Sequence, residues 1–153
     1  MYLFRSRRFA PLLPALLLLT ALVTLVASPA KALGHSAAGA APVKLAPANV
    51  LVTAKGATLY VFALDKPNKS NCNGTCAKFW PPLLVPKGAP PAAHMSGVTG
   101  TFGVAARTDG TQQLTFDGAP LYTFVLDKKV GQMNGQGSTA SGGYWWVVVA
   151  AGH

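Results

Sequence analysis

"TLYVFALDK" occupies residues 58–66 and "PLYTFVLDK" occupies residues 120–128, so nearly the same nine residues recur 62 positions apart. Widening the comparison gives "KGATLYVFALDK" (55–66) against "DGAPLYTFVLDK" (117–128), in which Gly, Ala, Leu, Tyr, Phe, Leu, Asp and Lys coincide. Each copy follows a short apolar run, "NVLVTA" (49–54) and "QQLTF" (112–116). Fourteen to seventeen residues beyond its Asp, each reaches an aromatic and a second apolar run, "FWPPLLV" (79–85) and "YWWVVVA" (144–150). Self-similarity at this spacing signals two copies of one supersecondary unit.

Each unit has a physical reading. In "LTFDGAPLYTFVL" two β-type runs flank Asp117-Gly118, a pair that tolerates positive φ and suits a hairpin; "VLVTAKGATLYVFAL" repeats the plan around Lys55-Gly56. Strand side chains alternate faces, which puts Tyr60, Phe62 and Leu64 together, and likewise Tyr122, Phe124 and Leu126. The two aromatic faces are expected to meet across a pseudo-twofold core. Asp65 and Asp127 fall on the opposite parity at the strand ends, where a short carboxylate can accept from N–H groups of the following loop. No segment beyond the leader carries a helical period, and Gly and Pro interrupt it every few residues. The fold class is all-β: a small sandwich or partly open barrel built from two related hairpin-plus-strand repeats.

Arg5, Arg7 and Arg8 precede the apolar run "PLLPALLLLTALVTLVA" (11–27), and Ala30 and Ala32 supply a small-residue exit. Residues 1–32 therefore read as a secretory signal peptide, and 33–47 as a flexible Ala/Gly/Pro leader. One β domain follows over 48–152, with repeat one about 48–87 and repeat two about 110–150. Without residues 1–32 the chain keeps nine basic residues against four Asp, a balance of about +5 with the cations scattered. That distribution argues against nucleic-acid binding, which clusters cations on one face.

The doubled "YVFALD" and "YTFVLD", with "CNGTCAKFWPPL" and "DGAPLYTF" beside them, resembles a family of bacterial secreted repeat proteins named for a Tyr-x-aromatic-x-x-Asp motif. Many members are lipoproteins. The resemblance spans about residues 48–150 and implies an exported location, periplasmic or extracellular, and this architecture. It supplies no catalytic residues. No Cys follows the leader's apolar run, so no stable membrane anchor is expected after cleavage.

Cys72 and Cys76 are the chain's two cysteines, and in an exported protein an even count points to a disulfide. The competing reading is a redox dithiol or a soft-metal, copper-type site, with His94 and Met95 as further donors that lack a recognisable ligand spacing. No metal or cofactor is expected. Asp65, Asp109, Asp117 and Asp127 are all the acids of the chain, and each reads as a turn or capping residue. "NGQGSTASGG" (134–143) leads into a strand and lacks the Lys-Ser/Thr ending of a phosphate loop. No nucleophile elbow is present. Trp80, Trp145 and Trp146 are the candidate binding aromatics; adjacent in a strand, Trp145 and Trp146 must face opposite ways. The expectation is an exported, non-enzymatic β-domain of the cell envelope that binds an envelope protein or glycan. The alternative is a periplasmic redox or soft-metal protein using Cys72 and Cys76.

Overall fold

The computed structural model describes residues 43–150. The leader through residue 42, with the cleavage site, lies outside the described residues. The strands are β1 (Val43–Leu45), β2 (Leu51–Thr53), β3 (Tyr60–Phe62), β4 (Leu84–Val85), β5 (Phe102–Ala106), β6 (Gln112–Phe116), β7 (Ala119–Pro120) and β8 (Trp145–Val147). One short helix, α1 (Thr75–Phe79), lies between β3 and β4. All pairings are antiparallel: β1 with β2, β3 with β8, and β4-β6-β5 with β7 also on β6. The protein is thus all-β in small open sheets, with no closed barrel among the described residues. None of its described helices is long and apolar enough to cross a membrane.

The turn chemistry explains where the hairpins close. Phe116 pairs with Ala119, which leaves Asp117 and Gly118 as a two-residue turn with φ of 48° and 79°. Positive φ at both positions is what a type I′ turn demands, and its twist matches the flanking strands. In the first repeat Thr53 N–H donates to the Ala57 carbonyl at 2.8 Å, and the loop is one residue longer.

How the two repeats join is the larger finding. Leu51 N–H donates to Val148 O (2.9 Å), Val148 N–H to Leu59 O (2.9 Å) and Leu59 N–H to Leu51 O (3.0 Å), a closed ring of three strands. The second repeat has the same ring: Leu114 to Leu83 (2.8 Å), Leu83 to Leu121 (2.9 Å) and Leu121 to Leu114 (2.9 Å). In each ring two strands come from one repeat and the third from the other. Leu51, Leu59, Leu114 and Leu121 are fully buried there, in an aliphatic core with Val43, Val85, Phe102, Phe116 and Val148. A separate cluster gathers Tyr60, Phe62, Cys72, Trp80, Tyr122 and Trp145.

Three expectations are corrected. Residues 43–47 are not leader: Val43 is buried and pairs with Thr53, so the folded part begins at least five residues earlier than expected. Repeat two likewise starts before residue 110, because β5 pairs with β6 as β1 pairs with β2. Both strands are short or contain Gly103, which left too little alternation to read. Leu64 and Leu126 do not join the aromatic face; both are exposed. The chain turns directly after the motif aromatic, with Asp65 N–H donating to Phe62 O (3.0 Å) and Asp127 N–H to Phe124 O (3.1 Å), so strand parity ends there.

Because each ring borrows a strand, residues 43–87 and 102–150 expressed separately are expected to stay unfolded and to fold on mixing. Circular dichroism of each fragment and of the equimolar mixture checks this; a folded single fragment would refute it.

Candidate functional site

Tyr60 and Tyr122 face each other at the centre of the pseudo-twofold, exchanging backbone hydrogen bonds of 2.9 and 3.0 Å. Their side chains then cross. Tyr60 Oη donates to Asp127 Oδ2 at 2.6 Å, and Tyr122 Oη donates to Asp65 Oδ2 at 2.6 Å. The second carboxylate oxygen of each Asp accepts a backbone N–H from its own following loop, Asn71 at 2.7 Å and Asn134 at 2.9 Å. The Asn side chains donate back to the carbonyls of Leu64 and Leu126. The repeated motif is therefore a reciprocal clasp: the Tyr of one repeat holds the Asp of the other.

The aromatic side chains interleave in the same sense. Phe62 stacks on Trp145 (4.3 Å, 14°), Trp145 on Trp80 (3.9 Å, 1°) and Trp80 on Phe124 (4.1 Å, 20°), a column that alternates between repeats. Tyr60 meets Trp80 edge-on at 5.4 Å and Tyr122 meets Trp145 at 5.0 Å, the favoured quadrupole arrangement. Gly135 lies against this column: a Cβ there would come within 2.6 Å of Trp80. Trp80 and Trp145 are fully buried, which corrects their reading as binding aromatics. Trp146 faces out, 44 % exposed, and stacks on Tyr144, 52 % exposed, at 5.6 Å and 18°.

Cys72 and Cys76 form a disulfide with Cα atoms 5.2 Å apart, and Cys72 is fully buried in the aromatic cluster. Arg107 holds this loop. Its Nη1 donates to Gln113 Oε1 (2.7 Å) and Ser70 Oγ (2.9 Å), and its Nη2 to Cys72 O (3.0 Å) and Asn73 Oδ1 (3.1 Å). Ser70 Oγ in turn lies 2.7 Å from Tyr122 Oη, so a chain of hydrogen bonds runs from the buried guanidinium to Asp65. The Nε of Arg107 makes no hydrogen bond and lies 3.5 Å from Asp109 Oδ2, so the two Nη groups carry the bonding that offsets the cost of burying the cation. Sequence reasoning missed Arg107; the available signal was that it is the one Arg outside the leader in a chain otherwise rich in Lys. It also missed Asn71 and Asn134, which a longer self-alignment, Asp-x5-Asn against Asp-x6-Asn, would have exposed.

Burial holds the Asp65 carboxyl above its usual range, opposed by the Asn71 N–H, the Tyr122 hydroxyl and the charge of Arg107. Tyr60 and Tyr122 are raised well above the ordinary 10.0, by burial first and then by the carboxylates they donate to. His94 is exposed in a loop and Met95 packs on the aliphatic core. No group of three or more metal-ligating side chains occurs among the described residues.

Replacing Tyr60 or Tyr122 by Phe strands a carboxylate oxygen and is expected to cost about 1.5–3 kcal/mol in urea unfolding. Each phenol has a folded pKa above its unfolded one, so its contribution is complete below pH 10 and is lost as pH rises further. Tyrosinate absorbance from Tyr60 and Tyr122 should therefore appear together with loss of the near-ultraviolet circular dichroism signal. Asp65 has the same sign: lowering pH through the window just above 3.8 strengthens its contribution, and Asp65→Asn should flatten that stretch of the stability profile. Replacing both Cys by Ala should cost about 2 kcal/mol, the chain-entropy value for so small a ring.

No curated protein and no solved structure is significantly similar to this chain. Two stretches, residues 49–84 and 103–149, match the family described as a secreted repeat of unknown function, and they coincide with the two interlocked repeats. The protein is exported, and it belongs to this family of secreted repeats.

Proposed function

We propose that this chain is a non-enzymatic binding domain of the bacterial cell envelope, acting in the periplasm or on the outer surface. One observation carries the reading: the carboxylates and the cysteines are already engaged in holding the fold. Asp65 and Asp127 each accept a Tyr hydroxyl and a backbone N–H. Asp117 accepts from Thr101 N–H (2.7 Å), Asp109 accepts from Thr111 N–H (3.0 Å), and both cysteines are in the disulfide. With four acids in the whole chain and no Glu, this arrangement favours binding over general acid–base or nucleophilic catalysis.

The exposed Tyr144–Trp146 stack is the contact we assign to an envelope glycan, because paired aromatic rings present an apolar face with polar tips. Trp146 is the exposed member of three tryptophans, so its fluorescence reports on that face above a buried background. Purified cell-wall glycan is expected to co-sediment with the exported protein and to shift its Trp emission. Trp146→Ala should weaken binding at least tenfold without changing the fold. Release of soluble sugar fragments, abolished by Asp127→Asn in a folded protein, would replace this reading with an enzyme. Thiols that alkylate in the native protein, or a metal mass lost on denaturation, would replace it with the redox or soft-metal alternative.

A further inference from the structure

The pseudo-twofold allows the two repeats to be compared as surfaces, and they differ at one pair of corners. After each motif Asp the chain folds back over the hairpin turn of the other repeat. In the first corner, Asn68 N–H donates to Gly118 O at 2.8 Å, so the loop bearing the exposed Lys66 and Lys69 rests on the Asp117-Gly118 turn. In the second, Thr58 Oγ donates to Gln132 O at 2.6 Å, and Val130 lies 3.0 Å from where a Cβ of Gly56 would be. The loop bearing Lys128 and Lys129 thus rests on the Lys55-Gly56 turn.

The turn residue is Asp117 beneath one loop and Lys55 beneath the other. The first corner therefore opposes its two cations with an exposed carboxylate, whereas the second adds a third cation. With the motif Asp counted at each corner, the first sets Lys66 and Lys69 against Asp65 and Asp117, whereas the second sets Lys55, Lys128 and Lys129 against Asp127 alone and keeps a surplus of two positive charges. The same corner also carries the more exposed apolar groups. Val130 is 77 % exposed, Leu126 56 % and Met133 47 %, against Leu64 alone in the equivalent loop. The loop is held in shape: Lys129 N–H donates to Gln132 Oε1 (2.9 Å) and Gln132 N–H to Lys129 O (3.2 Å).

We propose that the corner made by residues 126–133 and Lys55 docks this exported protein peripherally on an anionic phospholipid surface. Charge complementarity selects an anionic partner, since lysines beside a membrane are drawn to acidic headgroups. The apolar side chains select a bilayer over a soluble polyanion: Val130, Leu126 and Met133 gain by entering the headgroup boundary, and a polyanion offers them nothing. This surface uses neither Tyr144 nor Trp146, so it stands apart from the glycan reading.

The test is co-sedimentation of the protein purified from the exported fraction with vesicles of phosphatidylcholine alone, or with about a third phosphatidylglycerol. Binding is expected to the anionic vesicles only and to collapse in 1 M salt, where the screening length is about 3 Å. Lys128→Ala with Lys129→Ala should lower partitioning roughly thirtyfold, at about fivefold per lysine. Val130→Asp should also weaken it severalfold, while Lys66→Ala with Lys69→Ala leaves it unchanged. Val130 is exposed, and near-ultraviolet circular dichroism verifies that each variant is folded. Failure of folded protein to bind anionic vesicles would overturn the proposal. An equal loss in the Lys66/Lys69 variant would overturn the choice of corner. Binding insensitive to Val130→Asp and fully displaced by inorganic polyphosphate would overturn the lipid as partner.

Discussion

The structure depends on an exchange: a phenol from each repeat donates to a carboxylate of the other, 2.6 Å in both directions. A hydrogen bond to a charged acceptor is roughly twice as strong as a neutral one, and leaving that acceptor unpaired in a part-buried site is costly. Neither repeat can satisfy its own Tyr and Asp through this contact. The remaining cross-repeat features follow the same rule. The aromatic column alternates Phe62, Trp145, Trp80 and Phe124, and each ring of three leucine-centred strands takes one member from the other repeat. Tyr-x-Phe-x-x-Asp is thus a recipe for pairing two copies. It places the Tyr at the axis, the Phe one strand step outward and the Asp beyond the turn, where the opposite hydroxyl arrives.

Around this symmetric frame the supporting groups are unlike. The Tyr122 hydroxyl is backed by Ser70 and, through it, Arg107; the Tyr60 hydroxyl receives the Gly135 N–H at 3.3 Å. The Cys72–Cys76 loop of the first repeat has no counterpart in the second, and Arg107 of the second is matched in the first by Ala46, whose N–H donates to Val50 O as that of Arg107 does to Thr111 O. Arg107 fastens the disulfide loop to the β6 residue Gln113, whose amide donates in turn to Leu121 O at 2.7 Å. The duplication keeps the clasp and the column, and varies what surrounds them.

The β character and the doubled unit were legible because they depend on local signals: period-two alternation, Gly turns and a motif written twice. Asp117-Gly118 names its own turn, since few pairs accept positive φ at both positions. The crossing was not legible. Self-similarity reveals that two copies exist and is blind to which copy completes which sheet, because Trp80 and Trp145 would look the same in either arrangement. Trp146 against Trp145 was half legible: parity required opposite faces, and only tertiary packing decides which one enters the column. Arg107 was invisible for a different reason. A cation at a strand end reads as a surface residue, and its burial depends on acceptors from Ser70, Cys72 and Asn73 that are remote in sequence.

Interlocking also dictates the order in which this protein can come into being. A chain is made from its N-terminus, and the strand that completes the first repeat's ring carries Val148. Leu51 and Leu59 must therefore wait, uncovered, while about ninety further residues are synthesised. The second ring differs: Leu83, Leu114 and Leu121 have all been made once residue 121 is, so its strands are available well before those of the first. The part of the core around Leu51 and Leu59 therefore closes last, although it is made first.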